Sequence, residues 1–165
     1  MPAMDDLLKH YEYTAQDEEN RAQLAEIILP LKEQFAEDFY AHLEEDEYTA
    51  AFFPSKEAVA KRKQTFKYWL HMALKTPLDH RMQMKMERVG KTHVRIGLDG
   101  HYVNAAMNFV RRYLRQVVWQ AVNDERRRDA LLETMDKVLD LNLDIMTSSY
   151  REAQLKKLFI SKEVE

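Results

Sequence analysis

Turn-forming residues are almost missing from this chain. Its 165 residues include three glycines and four prolines. Most of the remainder is Leu, Ala, Met, Lys, Arg and Glu, which lose little on entering a helix. With so little turn chemistry the chain reads as nearly all α, and its length suits one domain with a sizeable core.

The scarce punctuation falls between helical patterns. Residues 4–13 read as a short leading helix. Thr14 and Asp17 then form a capping pair that opens a helix through Leu29, with Ala22, Ala25, Ile28 and Leu29 as its buried face. Pro30 sits where a first helical turn tolerates it, and Leu31, Phe35, Phe39 and Leu43 recur every fourth residue behind it. Tyr40 lies beside that stripe; on the residues alone it is a core-edge tyrosine whose hydroxyl needs a partner. Residues 48–53 read as a tight aromatic turn. Ser55 caps a helix over 55–75 that carries Val59, Thr65 or Phe66, Trp69 or Leu70, and Ala73 on one face.

Beyond Thr76-Pro77, Met82, Met86 and Val89 keep helical spacing, which places His93 near a helix C-terminus with Gly97 as its cap. Gly90, one turn before His93, reads as room for something flat against the helix, as a histidine that ligates an iron porphyrin needs. A hydrogen-bonded core histidine would look the same, so the residues leave both readings open. Residues 99–122 form the next helix, and a long final helix runs from a turn at Asn123-Asp124 to about Phe159. It carries two apolar seams, Leu131, Met135, Val138 and Ile145 on one and Leu132, Leu139, Leu143 and Met146 on the other. One seam suffices for a core, so the second reads as a partner surface, with a single wide stripe as the alternative.

Much chemistry is excluded. The absence of cysteine removes disulfides, thiolate metal sites and iron–sulfur clusters, and is compatible with a reducing cytoplasm. A formal net charge of -3 gives no general attraction to nucleic acid or anionic lipid, and Lys61-Arg62-Lys63 reads as a solvated face. No signal peptide or membrane span is evident, so a soluble cytoplasmic protein is expected. There is no Gly-rich phosphate loop, zinc helix or nucleophile elbow. The run Glu44-Glu45-Asp46-Glu47 lacks the pattern of a calcium loop, and no two histidines form an i,i+4 pair.

The run Val89-Gly90-Lys91-Thr92-His93-Val94-Arg95-Ile96-Gly97-Leu98, followed by Tyr102, resembles the proximal segment of bacterial globin-coupled sensors. In that family the histidine of H-V-R-I-G-L ligates haem iron. Relatives also carry a Phe-Tyr pair on the second main helix; here Phe39-Tyr40 lies 53 residues before His93, close to the family spacing. Thr65 matches a threonine that joins the distal tyrosine in some members. The resemblance covers essentially the whole chain. It departs at Asp99-Gly100-His101-Tyr102, one residue shorter than the Pro and Trp-Tyr segment of many relatives.

The resemblance implies a globin fold of the 3-over-3 type, with an extra N-terminal helix and without the short D helix. Residues 1–160 would form the sensor domain, and 161–165 would begin a linker to an effector outside this chain. Haem b would be held by His93, walled by Phe39, Phe53, Phe66, Trp69, Leu70, Val89 and Tyr102, with Tyr40 and Thr65 as distal donors. O2 is the expected ligand, with CO or NO also able to bind, and a phenol donor would favour O2 by roughly 1–3 kcal/mol. Signalling would pass through a homodimer of the last two long helices, and the chain itself would not be an enzyme. Two other readings stand beside this one: a globin enzyme such as an NO dioxygenase, and a haem-free helical dimerisation module. A distal histidine such as His71 closing the sixth iron position is left open.

Overall fold

Side chains placed just ahead of most helical runs decide where the helices begin. The computed structural model describes residues 1–163, which contain helices and no strand. The helices are α1 (Met4–His10), α2 (Ala15–Ile28), α3 (Lys32–Glu44), α4 (Glu47–Ala50), α5 (Lys56–Lys75), α6 (His80–Arg95), α7 (Gly100–Ala121) and α8 (Glu125–Glu163). Thr14 and Asp17 form the expected reciprocal capping box on α2. Ser55, Asp79 and Asp99 accept first-turn amides of α5, α6 and α7 at 3.1, 3.0 and 2.8 Å. Asp124 does the same for α8 at 2.7 Å. Each accepted proton is one that the helix cannot satisfy internally.

Pro30 lies in a single 3-10 turn, Leu29–Leu31, that joins α2 to α3. Asp46 caps α4, a one-turn helix where the sequence suggested only an aromatic turn. Phe35 and Phe39 of the α3 stripe are buried, whereas Leu31 at its start is exposed. On α2 the buried face is shifted from the expected one: Arg21 and Leu24 are buried and Ala22 is exposed. Burial of Arg21 is possible because its guanidinium donates to the Ala73 carbonyl at 3.1 Å and to Glu18 at 2.7 Å.

The long α8 is the spine. It packs on α2, α6 and α7 and touches α5. That surround covers both apolar seams: Leu131, Met135, Val138 and Ile145 are buried, and so are Leu132, Leu139 and Met146, with Leu143 half-buried. The second seam is therefore core and not a free partner surface, because α8 is enclosed from more than one side. The helix also runs past its expected end near Phe159 to Glu163, while positions 164–165 lie outside the described residues.

Candidate functional site

His93 sits in the last turn of α6, and its surroundings follow from how that helix stops. Gly97 takes φ +79°, a left-handed conformation that costs glycine little. Its N–H donates to the Val94 carbonyl at 3.1 Å, and the Leu98 N–H donates to the His93 carbonyl at 3.1 Å. This is a Schellman stop with Gly97 in the left-handed position, as the sequence indicated. Two tyrosines from elsewhere hold the loop: the Tyr48 hydroxyl donates to the Gly97 carbonyl at 3.1 Å and the Tyr150 hydroxyl to the Leu98 carbonyl at 2.7 Å.

The His93 side chain is half-buried, and its Nδ1 is buried without a hydrogen-bond partner. Burial lowers the basicity of the imidazole, and the positive charge of Arg62 lowers it further. A neutral imidazole keeps a nitrogen lone pair available to a metal. A half-turn of the ring about Cβ–Cγ exchanges Nδ1 with Cδ2 and Nε2 with Cε1, so either edge of the ring can present a nitrogen.

Tyr40 is buried on α3, and its hydroxyl donates to the Arg62 carbonyl of α5 at 3.0 Å. Burial pushes its phenol well above the usual tyrosine range, although the Arg62 charge pulls the other way, so Tyr40 stays a neutral donor. Arg62 thus influences both His93 and Tyr40. Around Tyr40 several of the aromatic side chains named from the sequence lie close together. Phe53 meets it edge-on at 5.4 Å, Phe39 stacks on Phe66 at 4.4 Å, and Trp69 lies 5.7 Å from Phe66. Leu70 is buried in the core and Val89 packs against it.

Other expected members stand apart. The Thr65 hydroxyl donates to the Lys61 carbonyl of its own helix at 3.1 Å, and its side chain is exposed. Tyr102 stacks on Tyr48 at 4.3 Å, away from the aromatic wall, and His71 is exposed. Gly90 does not leave a gap for a flat group. A Cβ there would overlap the Met146 carbonyl of α8 and lie 2.9 Å from Ser149 Oγ, so the missing side chain serves a helix crossing. Sequence reasoning missed Asn142, a fully buried residue of α8 that accepts from the Trp69 indole at 3.3 Å. It also missed the Tyr48 and Tyr150 clamps. The only local signal was a tyrosine at each position, since the acceptors lie 49 and 52 residues away.

These residues fit a haem. Among the described residues no three His, Cys, Asp or Glu side chains converge to hold a bare ion. His93 is a lone imidazole with an unpartnered nitrogen, which suits a metal that brings its other ligands with it, as iron in a porphyrin does.

Comparison with known proteins agrees. The chain matches the model of the Protoglobin family over residues 1–156. It is similar in structure to the globin domain of a Geobacter sulfurreducens globin-coupled sensor, with TM-score 0.87 and 35% identity over 92% of this chain and 99% of that one. The globin domain of E. coli DosC, in ferric and ferrous crystal forms, matches with TM-score 0.78 over 88% of this chain and 97% of that one. At 18% identity that second likeness speaks for the fold alone. No curated protein sequence matches significantly.

Proposed function

The chain belongs to the Protoglobin family, and from that premise we propose that it is a haem-based gas sensor domain with His93 as the proximal iron ligand and Tyr40 as the distal donor. Haem b is the cofactor of the family; His93 would hold it, and its iron would supply the binding of O2, CO or NO. The single observation that carries the reading is the buried, unpartnered ring nitrogen of His93 at the end of α6.

The chain's own residues do the rest. His93 presents a neutral imidazole fixed by the Schellman stop. Phe39, Phe53, Phe66, Trp69, Leu70 and Val89 exclude water. The Tyr40 hydroxyl can redirect its hydrogen bond from the Arg62 carbonyl to a polar ligand while keeping its proton. A gas that develops negative charge on binding gains more from this donor than CO does, which is the basis for assigning O2. Thr65 becomes a second donor only by giving up its Lys61 contact.

Signalling through paired terminal helices belongs to the same proposal. Its support is the exposed apolar surface of Trp119 on α7 and of Leu155, Phe159 and Ile160 on α8. The two seams named from sequence do not contribute, because they are core. An output module downstream of α8, a sensor role with no reaction of its own, and a cytoplasmic setting complete it. Among the described residues no helix is long and apolar enough to cross a membrane.

The test is an absorption spectrum of the purified protein after haem addition, taken ferric, reduced, and reduced with O2 or CO. The expected result is a Soret band that saturates at one haem per chain and a stable O2 complex. Absence of specific haem uptake would sink the proposal. Sedimentation equilibrium with Trp119→Glu and Phe159→Glu tests the pairing separately.

A further inference from the structure

Between His93 and α8 runs an unbroken chain of two hydrogen bonds through one residue. The Leu98 N–H donates to the His93 carbonyl at 3.1 Å, and the Leu98 carbonyl accepts the Tyr150 hydroxyl at 2.7 Å. Leu98 is fixed at both ends of its own backbone, one end on the histidine and the other on α8. The ring of Tyr150 also lies over Gly100, the first residue of α7, where an added Cβ would meet its ring carbons at 3.6 to 3.8 Å. The corner from α6 to α7 is therefore seated on one side chain of α8.

A second contact sits one turn back on both helices. Gly90 precedes His93 by three residues and Met146 precedes Tyr150 by four; there the backbones of α6 and α8 touch so closely that a Cβ at position 90 has no place. Ser149 adds a hydrogen bond to the Glu87 carbonyl at 3.4 Å. Two contacts a turn apart prevent α6 from sliding or rolling on α8 independently. A packed crossing of this kind shifts as a unit.

We propose that Tyr150 is a positioning residue for His93: through the Leu98 carbonyl it sets the end of α6 that carries the histidine, and a change at His93 is read by α8 at Tyr150. The coupling is reciprocal, since any free energy by which α8 biases His93 is the free energy by which His93 biases α8. Burial, with the nearby charge of Asp99, pushes the Tyr150 phenol up to about 12, so it remains a donor throughout the neutral range. The proposal rests on His93 being the haem ligand.

Tyr48 supplies the control. Its hydroxyl holds the neighbouring Gly97 carbonyl at 3.1 Å in the same loop, but it belongs to α4 and, among the described residues, it donates no hydrogen bond to α8. Haem-loaded wild type, Tyr150→Phe and Tyr48→Phe are compared by three readings: haem stoichiometry from the Soret band, the iron–histidine stretching band of the ferrous form, and amide hydrogen exchange along α8 with and without CO.

In wild type, CO should change exchange near residues 146–154 and leave the first turns of α8 unchanged. Tyr150→Phe should keep one haem per chain, shift the iron–histidine band, and reduce the CO-dependent exchange difference near residue 150 at least threefold, about what loss of one hydrogen bond yields. Tyr48→Phe should leave the α8 response intact. The proposal is overturned by a wild-type α8 that does not respond to CO, which needs no variant to fold, or by Tyr150→Phe with the wild-type band and the wild-type response. No haem uptake by wild type would instead overturn the haem reading, and this proposal with it.

Discussion

Gly90 on α6 lies directly against the Met146 carbonyl of α8, with no room for even a methyl group between the two backbones. Gly90→Ala must therefore push α6 off α8, and backbone atoms cannot yield as the end of a flexible side chain can. A loss of about 2–4 kcal/mol is expected, in the range of forced overpacking and lost core contacts. Urea denaturation of the haem-free variant checks this. A variant as stable as wild type would show that the crossing has slack.

Local features of this fold were legible in the sequence and non-local ones were not. The Thr14–Asp17 box, the Ser55 cap, the Gly97 stop and the span of α7 rest on residues within a few positions of one another. Gly90 was visible as a missing side chain next to His93, but which neighbour filled the space depended on α8, more than fifty residues later. For the same reason Arg21, satisfied by the Ala73 carbonyl of α5, looked like a surface residue. The two seams of α8 were read correctly as apolar, yet periodicity cannot say how many neighbours a helix has. At the site, residue type and spacing marked His93, Tyr40 and the phenylalanines as members of apolar helix faces, and the roles proposed for them came from the family resemblance. The partners of Tyr40, Thr65 and Tyr102 were not legible.

Asp17 predicts the acid limb of stability. It is 5% exposed and accepts from the Thr134 hydroxyl at 2.6 Å, the Thr14 amide at 2.8 Å and Lys137 at 2.9 Å. Burial alone would raise its pKa, but these donors outweigh burial and hold the carboxyl below its ordinary 3.8. A folded pKa below the unfolded one means that the stabilisation is fully present above about pH 4 and is lost as pH falls from there through the folded value. Asp17→Asn should cost about 2–3 kcal/mol at neutral pH, as expected for losing hydrogen bonds to a charged group. It should also flatten the decline below about pH 4, a comparison made by chemical denaturation across the acid range.

Tyr40 predicts ligand selectivity. The donor is neutral and pre-placed on the Arg62 carbonyl, so Tyr40→Phe removes a proton that a polar ligand would share and leaves the aromatic contacts with Phe53 and Phe66 in place. O2 should dissociate about 10 to 100 times faster from the haem-loaded variant, the equivalent of about 1–3 kcal/mol, while CO changes less than threefold. Stopped-flow displacement measures both. Equal acceleration of the two gases would remove Tyr40 from the distal role.

His93→Ala separates the ligand reading from a structural one. A core histidine that holds the fold would be hydrogen-bonded, and its removal would cost stability. Here the buried ring nitrogen has no partner. An unsatisfied buried polar atom costs about 1–3 kcal/mol, so removing it offsets the packing lost with the ring. Haem-free His93→Ala should therefore melt within a few degrees of haem-free wild type. The two proteins should differ once haem is added. Wild type gains stability in proportion to the logarithm of haem concentration above its dissociation constant, and the variant gains little. Added free imidazole should restore a Soret band to the variant by occupying the space the side chain left. A haem-free variant that unfolds, or a haem-loaded one as stable as wild type, would return His93 to the core and leave the iron without its ligand.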